Sequence, residues 1–344
     1  MAEKMLRPGK LPNDLLARML AKYAPPGEGV VVGPGIGVDA AVIDAGLPGE
    51  YLIAKTDPIT FLASDIGRYA IIINANDVAC MGGKPRWFSA CVILPEGATE
   101  ALAEEIFGSL SSACKELGVS LIGGHTEITH GLDRPLVVGH MLGTVGKDKL
   151  ITAAGARPGD ALILTKGIAI EAVSVIARVR EAELVNKFGA RFAARCSDYF
   201  RDPGISVLKD AETATGAGAV HAMHDPTEGG LSGGLYELAE ASGTGIEVIA
   251  ENIRVLPEAE RLLGHLSLDP LGSIASGALL VAAPPADAEN IVSALEGEGI
   301  GASVIGAFTE EKGVRLVRAG RAEKFPRFAA DELTKLFGDF KTAP

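Results

Sequence analysis

Apolar residues along this chain follow two rhythms, and the switches between them mark out its elements. A short helix around Asn13 to Lys22 ends at Pro25-Pro26-Gly27, and Val30 to Ile43 then reads as strand, glycine loop, strand. Tyr51 to Ala54 is a further apolar strand running into Lys55-Thr56-Asp57-Pro58, and Asp65 to Met81 carries apolar positions at helical spacing. Gly82-Gly83-Lys84-Pro85 stops that helix. Arg86 to Leu94 predicts a strand, Thr99 to Leu117 a helix capped by its threonine, and Val119 to Ile122 a strand entering Gly123-Gly124-His125-Thr126-Glu127. Val137 to Val145 completes this half.

A turn-rich joint, Ala154 to Asp160, precedes the strand Ala161 to Leu164 and opens a second half. Helical spacing recurs from Ile170 to Arg180, around Val185 to Ala194 and from Gly204 to Thr215. Asp225 to Ser242 holds a loop and its helix, Gly245 to Ile249 and Ala278 to Ala282 read as strands, and Ala286 to Glu298 as a helix. Ala302 to Thr309 and Gly313 to Arg318 predict a closing hairpin. The expected fold class is therefore α+β, in two domains over 1–150 and 151–344.

Composition narrows the partners. Of 344 residues, 47% are hydrophobic and 22% charged, an ordinary globular balance. The formal net charge of −12, with Lys and Arg scattered, argues against a nucleic-acid surface. Cys80, Cys91, Cys114 and Cys196 show no C-x-x-C spacing, so zinc and a redox pair are not expected. The first ten residues lack an apolar signal core, and no window suggests a membrane span. The expectation is a cytoplasmic protein.

Candidate chemistry concentrates in two places. Asp39, Asp57, Asp77 and Glu127 each sit in glycine-rich or apolar sequence, where an unpaired carboxylate is costly. Mg²⁺ with phosphate oxygens would neutralise several of them together, and a salt bridge or a cap is the alternative for any one. Asn74 and Asp77 share one edge of a buried helix. In the second half, His224-Asp225-Pro226-Thr227-Glu228-Gly229-Gly230-Leu231 combines a carboxylate, a hydroxyl and paired glycines before an amphipathic helix, a setting suited to anions. His125 and His224 each precede residues that include a threonine and an acid, and either is a candidate base or ligand.

In order along the chain, Asp39-Ala40-Ala41-Val42-Ile43, Thr56-Asp57, Asp65-Ile66-Gly67, Asn76-Asp77-Val78-Ala79-Cys80-Met81-Gly82, Gly123-Gly124-His125-Thr126, Arg157-Pro158-Gly159-Asp160 and the His224 to Gly230 stretch resemble the aminoimidazole-ribonucleotide synthetase (PurM-like) superfamily. That superfamily includes the hydrogenase-maturation protein HypE, to which the His-Asp-Pro-Thr pattern is most similar, and thiamine-monophosphate kinase. The resemblance implies an N-terminal domain that pairs into a dimeric β-barrel and a C-terminal α+β domain, with ATP and Mg²⁺ as cofactors. Carried over to this sequence, it implies Asp39, Asp57 and Asp77 as metal ligands, and Gly37, Asp39, Asn76, Thr126, Thr227, Gly229 and Gly230 at the nucleotide. His125, Glu127 and Asp225 are the implied catalytic groups.

The chain also departs from the HypE pattern. Glu228 stands where HypE-like proteins commonly have arginine, and the sequence closes Phe340-Lys341-Thr342-Ala343-Pro344 where they carry a cysteine. The expectation is an ATP-dependent enzyme that phosphorylates or activates a small-molecule acceptor, as a homodimer, with a maturation partner protein as a further possibility. The alternatives are a HypE-type carbamoyl dehydratase, a small-molecule kinase and a non-catalytic ATP-binding assembly factor.

Overall fold

The computed structural model describes residues 10–25, 27–60 and 64–337, which form two compact units. Residues 27–34 and 39–151 make the first; residues 10–25, 35–38 and 152–337 make the second. Each is a mixed α+β structure. The helix α1 (Asn13–Tyr23) therefore belongs with the second unit, although it precedes the first in sequence.

In the first unit β1 (Val30–Val32), β2 (Ala41–Ile43), β3 (Glu50–Ile59), α2 (Ile66–Cys80), β4 (Lys84–Pro95), α3 (Glu100–Leu117), β5 (Ser120–Thr129) and β6 (Leu136–Gly146) follow one another. The strands form one sheet in the order β1-β2-β3-β6-β4-β5, in which β4 and β5 run parallel. Helix α2 carries Ile71, Ile72, Ile73 and Val78 on several sides, and it is buried along its whole length against β3, β6 and α3. Helix α3 starts where expected, with the Thr99 hydroxyl accepting from the Leu102 N–H at 3.2 Å, and ends at Gly118 in the left-handed conformation. Strand β6, and β4 from Phe88 onward, alternate buried with half-buried positions, so one face of the sheet is covered and the other only partly. Edge strand β5 is exposed at every position except Thr129.

The second unit continues with β7 (Ala161–Thr165), α4 (Ile170–Val179), α5 (Glu181–Phe188), α6 (Ala190–Asp198), α7 (Leu208–Ala217), β8 (Ala222–His224), α8 (Gly230–Ser242) and β9 (Gly245–Ile249). It closes with α9 (Pro257–His265), β10 (Leu280–Ala283), α10 (Pro285–Gly297), β11 (Ala302–Thr309), β12 (Gly313–Arg318), β13 (Arg321–Lys324) and α11 (Thr334–Phe337). Its sheet has the order β13-β12-β9-β11-β7-β10-β8. Strands β7 and β10 are buried at every position. Leu162 and Leu164 of β7 pack with Leu231, Leu235 and Leu238 of α8, each worth about 2 kcal/mol of apolar burial. That packing fixes the start of α8, and with it the glycine-rich loop.

The expected hairpin of β11 with β12 is not formed. Strand β9 lies between them, antiparallel to β11 and parallel to β12, and the hairpin partner of β12 is β13. The parallel contact is possible because the chain between β9 and β12, residues 250–312, is long enough for the crossover that a parallel pair requires. Among the described residues no helix is long and apolar enough to cross a membrane.

Candidate functional site

The first unit gathers the acidic residues around a lysine. Lys55 and Asp57 lie on β3 and Asp77 on α2, and the Lys55 ammonium is 3.1 Å from Asp77 and 3.4 Å from Asp57. Burial opposes the Lys55 charge, but the carboxylates of Asp77, Asp57 and Asp39 outweigh it and hold the ammonium well above its ordinary pKa. Asp39 and Asp77 are themselves buried. The Asn74 amide ties the arrangement together, donating to the Ala70 carbonyl at 2.8 Å and to the Asp57 carbonyl at 3.3 Å.

Three carboxylates around one ammonium leave two negative charges in a partly dry setting. An oxygen-only donor set with that excess fits a hard divalent cation such as Mg²⁺, held by Asp39, Asp57 and Asp77. Asn76, beside this group in sequence, is fully buried on α2. Lys55 itself was not singled out as the neutralising partner by the sequence, since its meeting with Asp77 depends on α2 packing across β3.

The histidine and threonine of the first unit stand elsewhere. His125, Thr126 and Glu127 lie on the exposed strand β5, with His125 Nε2 3.2 Å from Glu127 Oε2. The register runs His125 to Cys91 to Val138 to Pro58, which puts β5 three strands, about 14 Å, from the row that holds Asp57. Within this unit the acidic group and the His125–Glu127 pair are separate.

The second unit holds the glycine-rich loop. Strand β8 ends at His224, Asp225 is buried, and Gly229 caps α8 in the left-handed conformation with φ 85°. Gly230 also has positive φ, and a Cβ there would stand 2.6 Å from the Ser273 carbonyl oxygen and 2.7 Å from that of Leu271. Gly230 is therefore a steric requirement of the loop, whereas Gly229 is favoured there by its backbone conformation alone. Thr227 accepts a hydrogen bond from the Lys10 ammonium at 3.2 Å through its hydroxyl, and its carbonyl accepts from Gly230 and Ala275.

Glu237 on α8 joins several of these groups. It lies 3.1 Å from His224 Nε2 and 3.4 Å from the Lys10 ammonium. Burial opposes its charge, yet the bonds from His224 and Lys10 prevail and hold its carboxyl down at about 2. Gly37 packs on the same stretch of helix, where a Cβ would fall 2.5 Å from the Glu237 carbonyl oxygen. His221, three residues before His224, turns to a different partner, with Nδ1 2.9 Å from Asp160. Asp160 in turn accepts from the Arg157 N–H at 2.8 Å, so the Arg157 to Asp160 motif anchors a turn.

Beside this loop is a cavity of about 460 Å³ whose walls include Lys10, Gly229, Tyr236, Glu237, Arg327 and Asp331. Helix α8 has no side-chain cap of its own. Its N-cap N–H, that of Gly229, instead donates to the Asp331 carboxylate at 2.8 Å. Lys10, Glu237 and Asp331 were not candidates from sequence, because each is brought to the loop by tertiary contact.

Comparison with known proteins follows the same two-part division. The family model described as AIR synthase related protein, N-terminal domain, matches residues 37–145, and that described as AIR synthase related protein, C-terminal domain, matches residues 157–318. A protein of Methanocaldococcus jannaschii named for hydrogenase expression and formation is 31% identical over 317 residues, covering 89% of this chain and 90% of the relative. Carbamoyl dehydratase HypE of Rhodobacter capsulatus is 28% identical over 341 residues, covering 93% and 95%. Among solved structures, a HypE–HypF complex aligns with TM-score 0.73 at 23% identity, covering 91% of this chain and 99% of that one. HypE in complex with ATP aligns with TM-score 0.69 at 23% identity, covering 90% of each. At these identities the two structures establish the shared fold.

Proposed function

Because this chain belongs to the AIR synthase related family, within the PurM-like superfamily and near HypE, we propose that it is an ATP- and Mg²⁺-dependent enzyme that activates a small-molecule acceptor by phosphoryl transfer. The observation that carries this reading is the convergence of Asp39, Asp57 and Asp77 on one lysine, which leaves two negative charges for a divalent cation. ATP, when bound, supplies a phosphoryl group whose bond to the ADP oxygen breaks as a bond to the acceptor oxygen forms. The protein's task in such chemistry is positioning and charge stabilisation. Lys55 limits the repulsion among the carboxylates, Asn74 holds the β3 backbone beside them, and the Thr227 to Gly230 loop places the Thr227 hydroxyl at the positive end of α8 for phosphate oxygens. We assign Gly37, Asn76 and Thr126 to the nucleotide as well, and His125, Glu127 and Asp225 to the reacting groups.

The solved HypE structure named for its ATP complex supports the choice of nucleotide. The structure named for a HypE–HypF complex supports a protein partner as well. A free acceptor is favoured over a carbamoyl dehydratase acting on its own thiol by the state of the cysteines. Cys80, Cys114 and Cys196 are buried, Cys91 is half-buried, and burial pushes the Cys196 thiol up to about 12. A thiol so placed is a poor nucleophile at neutral pH. Four free thiols suit the reducing cytoplasm. The homodimer is supported by β5, whose exposed edge and exposed Leu121, Ile122 and Ile128 are a liability unless paired.

Isothermal titration with ATP, with and without Mg²⁺, followed by phosphate release on the same sample, tests the reading. Metal-dependent binding is expected; tight binding with no hydrolysis under any acceptor would instead indicate an assembly factor, and no binding would remove the nucleotide altogether.

A further inference from the structure

Lys55 bonds two carboxylates at once, Asp77 Oδ1 at 3.1 Å and Asp57 Oδ2 at 3.4 Å, and Asp39 adds its charge to the same ammonium. The lysine side chain is only 19% exposed, so little solvent intervenes. Oxygens that a divalent cation would need are therefore already held by a cation belonging to the chain itself.

Asn74 supplies an independent sign of a missing positive charge. It stands three residues before Asp77 on α2 and is fully buried. Its amide nitrogen is used, giving to the Ala70 and Asp57 carbonyls, but its Oδ1 meets no donor among the described residues. A dry oxygen without a donor is costly, and an incoming cation offsets that cost. The ammonium, where it stands, serves the carboxylates and leaves this oxygen unmet.

Ammonium and Mg²⁺ answer the same need, because three carboxylates in a partly dry setting repel one another unless a positive charge stands among them. They differ in tenure. Lysine carries a point charge on a flexible stem and can swing away, whereas Mg²⁺ grips carboxylate oxygens closely and in fixed directions. We infer that Lys55 is a resident surrogate for the divalent cation: its ammonium holds Asp39, Asp57 and Asp77 together while the metal is absent and gives them up when the metal enters. The inference rests on the reading of those three residues as the metal ligands, and it adds that the chain itself keeps the site assembled without metal.

The test uses the full chain, with Mg²⁺ or Mn²⁺ alone as the probe. In chelator, Lys55→Met is expected to melt roughly 5 °C below wild type, and millimolar Mg²⁺ should restore it. Wild type and Lys55→Arg should change much less between the two conditions. By calorimetry Lys55→Met should bind Mn²⁺ about tenfold more tightly than wild type, as for a site that the ammonium fills about nine-tenths of the time. Wild type alone supplies the deciding measurement if the variant does not fold. At matched ionic strength, saturating Mg²⁺ should raise the acetylation rate of Lys55, read on its peptide by mass spectrometry, by about tenfold as the ammonium is released. A folded variant that metal does not restore, or Lys55 labelling that Mg²⁺ leaves unchanged, would overturn the inference and make Lys55 an ordinary ion-pair partner, while metal-dependent ATP binding by wild type would keep the reading of the site. No response to either metal from wild type or variant, together with no binding of MgATP, would overturn both.

Discussion

Lys55 and Asp77 meet at 3.1 Å, joining strand β3 to the buried helix α2 across a separation of 22 residues in sequence. Because Asp57 and Asp39 act on the same ammonium, the lysine is shared rather than paired. Removing one carboxylate should therefore have different effects by position. Asp77 is nearly fully buried, and Asp77→Asn should cost about 3 kcal/mol as well as metal-dependent binding. Asp57, with its side chain 34% exposed, should lose Mg²⁺-dependent ATP affinity by about tenfold on change to Asn, with stability nearly unaltered. Denaturant unfolding beside calorimetric titration separates the two; equal ATP affinity in both variants and wild type would remove these carboxylates from the site.

Gly37 and Gly230 should tolerate no side chain. Both have positive φ, and in both the added Cβ would meet backbone carbonyls that cannot swing aside. Alanine at either position should destabilise the protein by about 1–3 kcal/mol, from strain combined with overpacking. Gly46 is the control, with positive φ but open space around it, so its alanine variant carries only the backbone part of the cost. Thermal unfolding of the three variants checks the ranking, and an indistinguishable Gly46 variant would show that close approach is not the deciding term.

These cases show which features were legible in sequence. Helix α3 was readable to its cap, since Thr99 and Gly118 act on their own neighbours. The loop before α8 was readable because its glycines and proline constrain the chain locally. The insertion of β9 between β11 and β12 was not, because strand order is set by packing, and two apolar runs separated by a short link also describe a hairpin. The same reason hid Lys55: the acids were recognised as needing neutralisation, but a lysine on a neighbouring strand does that without any local signature. Asp331 lies 102 residues from the N–H it accepts from, and no motif joins the two.

Strand β5 should be an interface between copies of the chain. Ile122 and Ile128 are 55% and 63% exposed, and burial on only one side of a monomer does not explain apolar residues on an unpaired edge. Light scattering should give a dimer for wild type. Ile128→Lys should shift it toward monomer while changing the stability of the isolated unit by no more than about 0.5 kcal/mol. A wild-type monomer at micromolar concentration would defeat the assignment of β5.

Glu237 and Asp331 should impose opposite pH dependences on stability. Glu237 has a folded value of about 2 against 4.5 ordinarily, so its contribution is present above 4.5 and is lost as pH falls toward 2. For Asp331 the folded value of about 6 exceeds the ordinary 3.8. The sign reverses: its contribution is fully present below 3.8, where the carboxyl is neutral in both states, and is lost as pH rises through about 6. The stability of wild type relative to Asp331→Asn should therefore be greater at pH 4 than at pH 7, by roughly 2 kcal/mol. Urea unfolding of the two proteins at both pH values measures this difference, which the remaining titrating groups share and so cancel. A gap that widens toward pH 7 would mean that Asp331 is a well-stabilised carboxylate, held as an anion by the Gly229 and Leu333 N–H groups more firmly than its burial beside Glu228 implies.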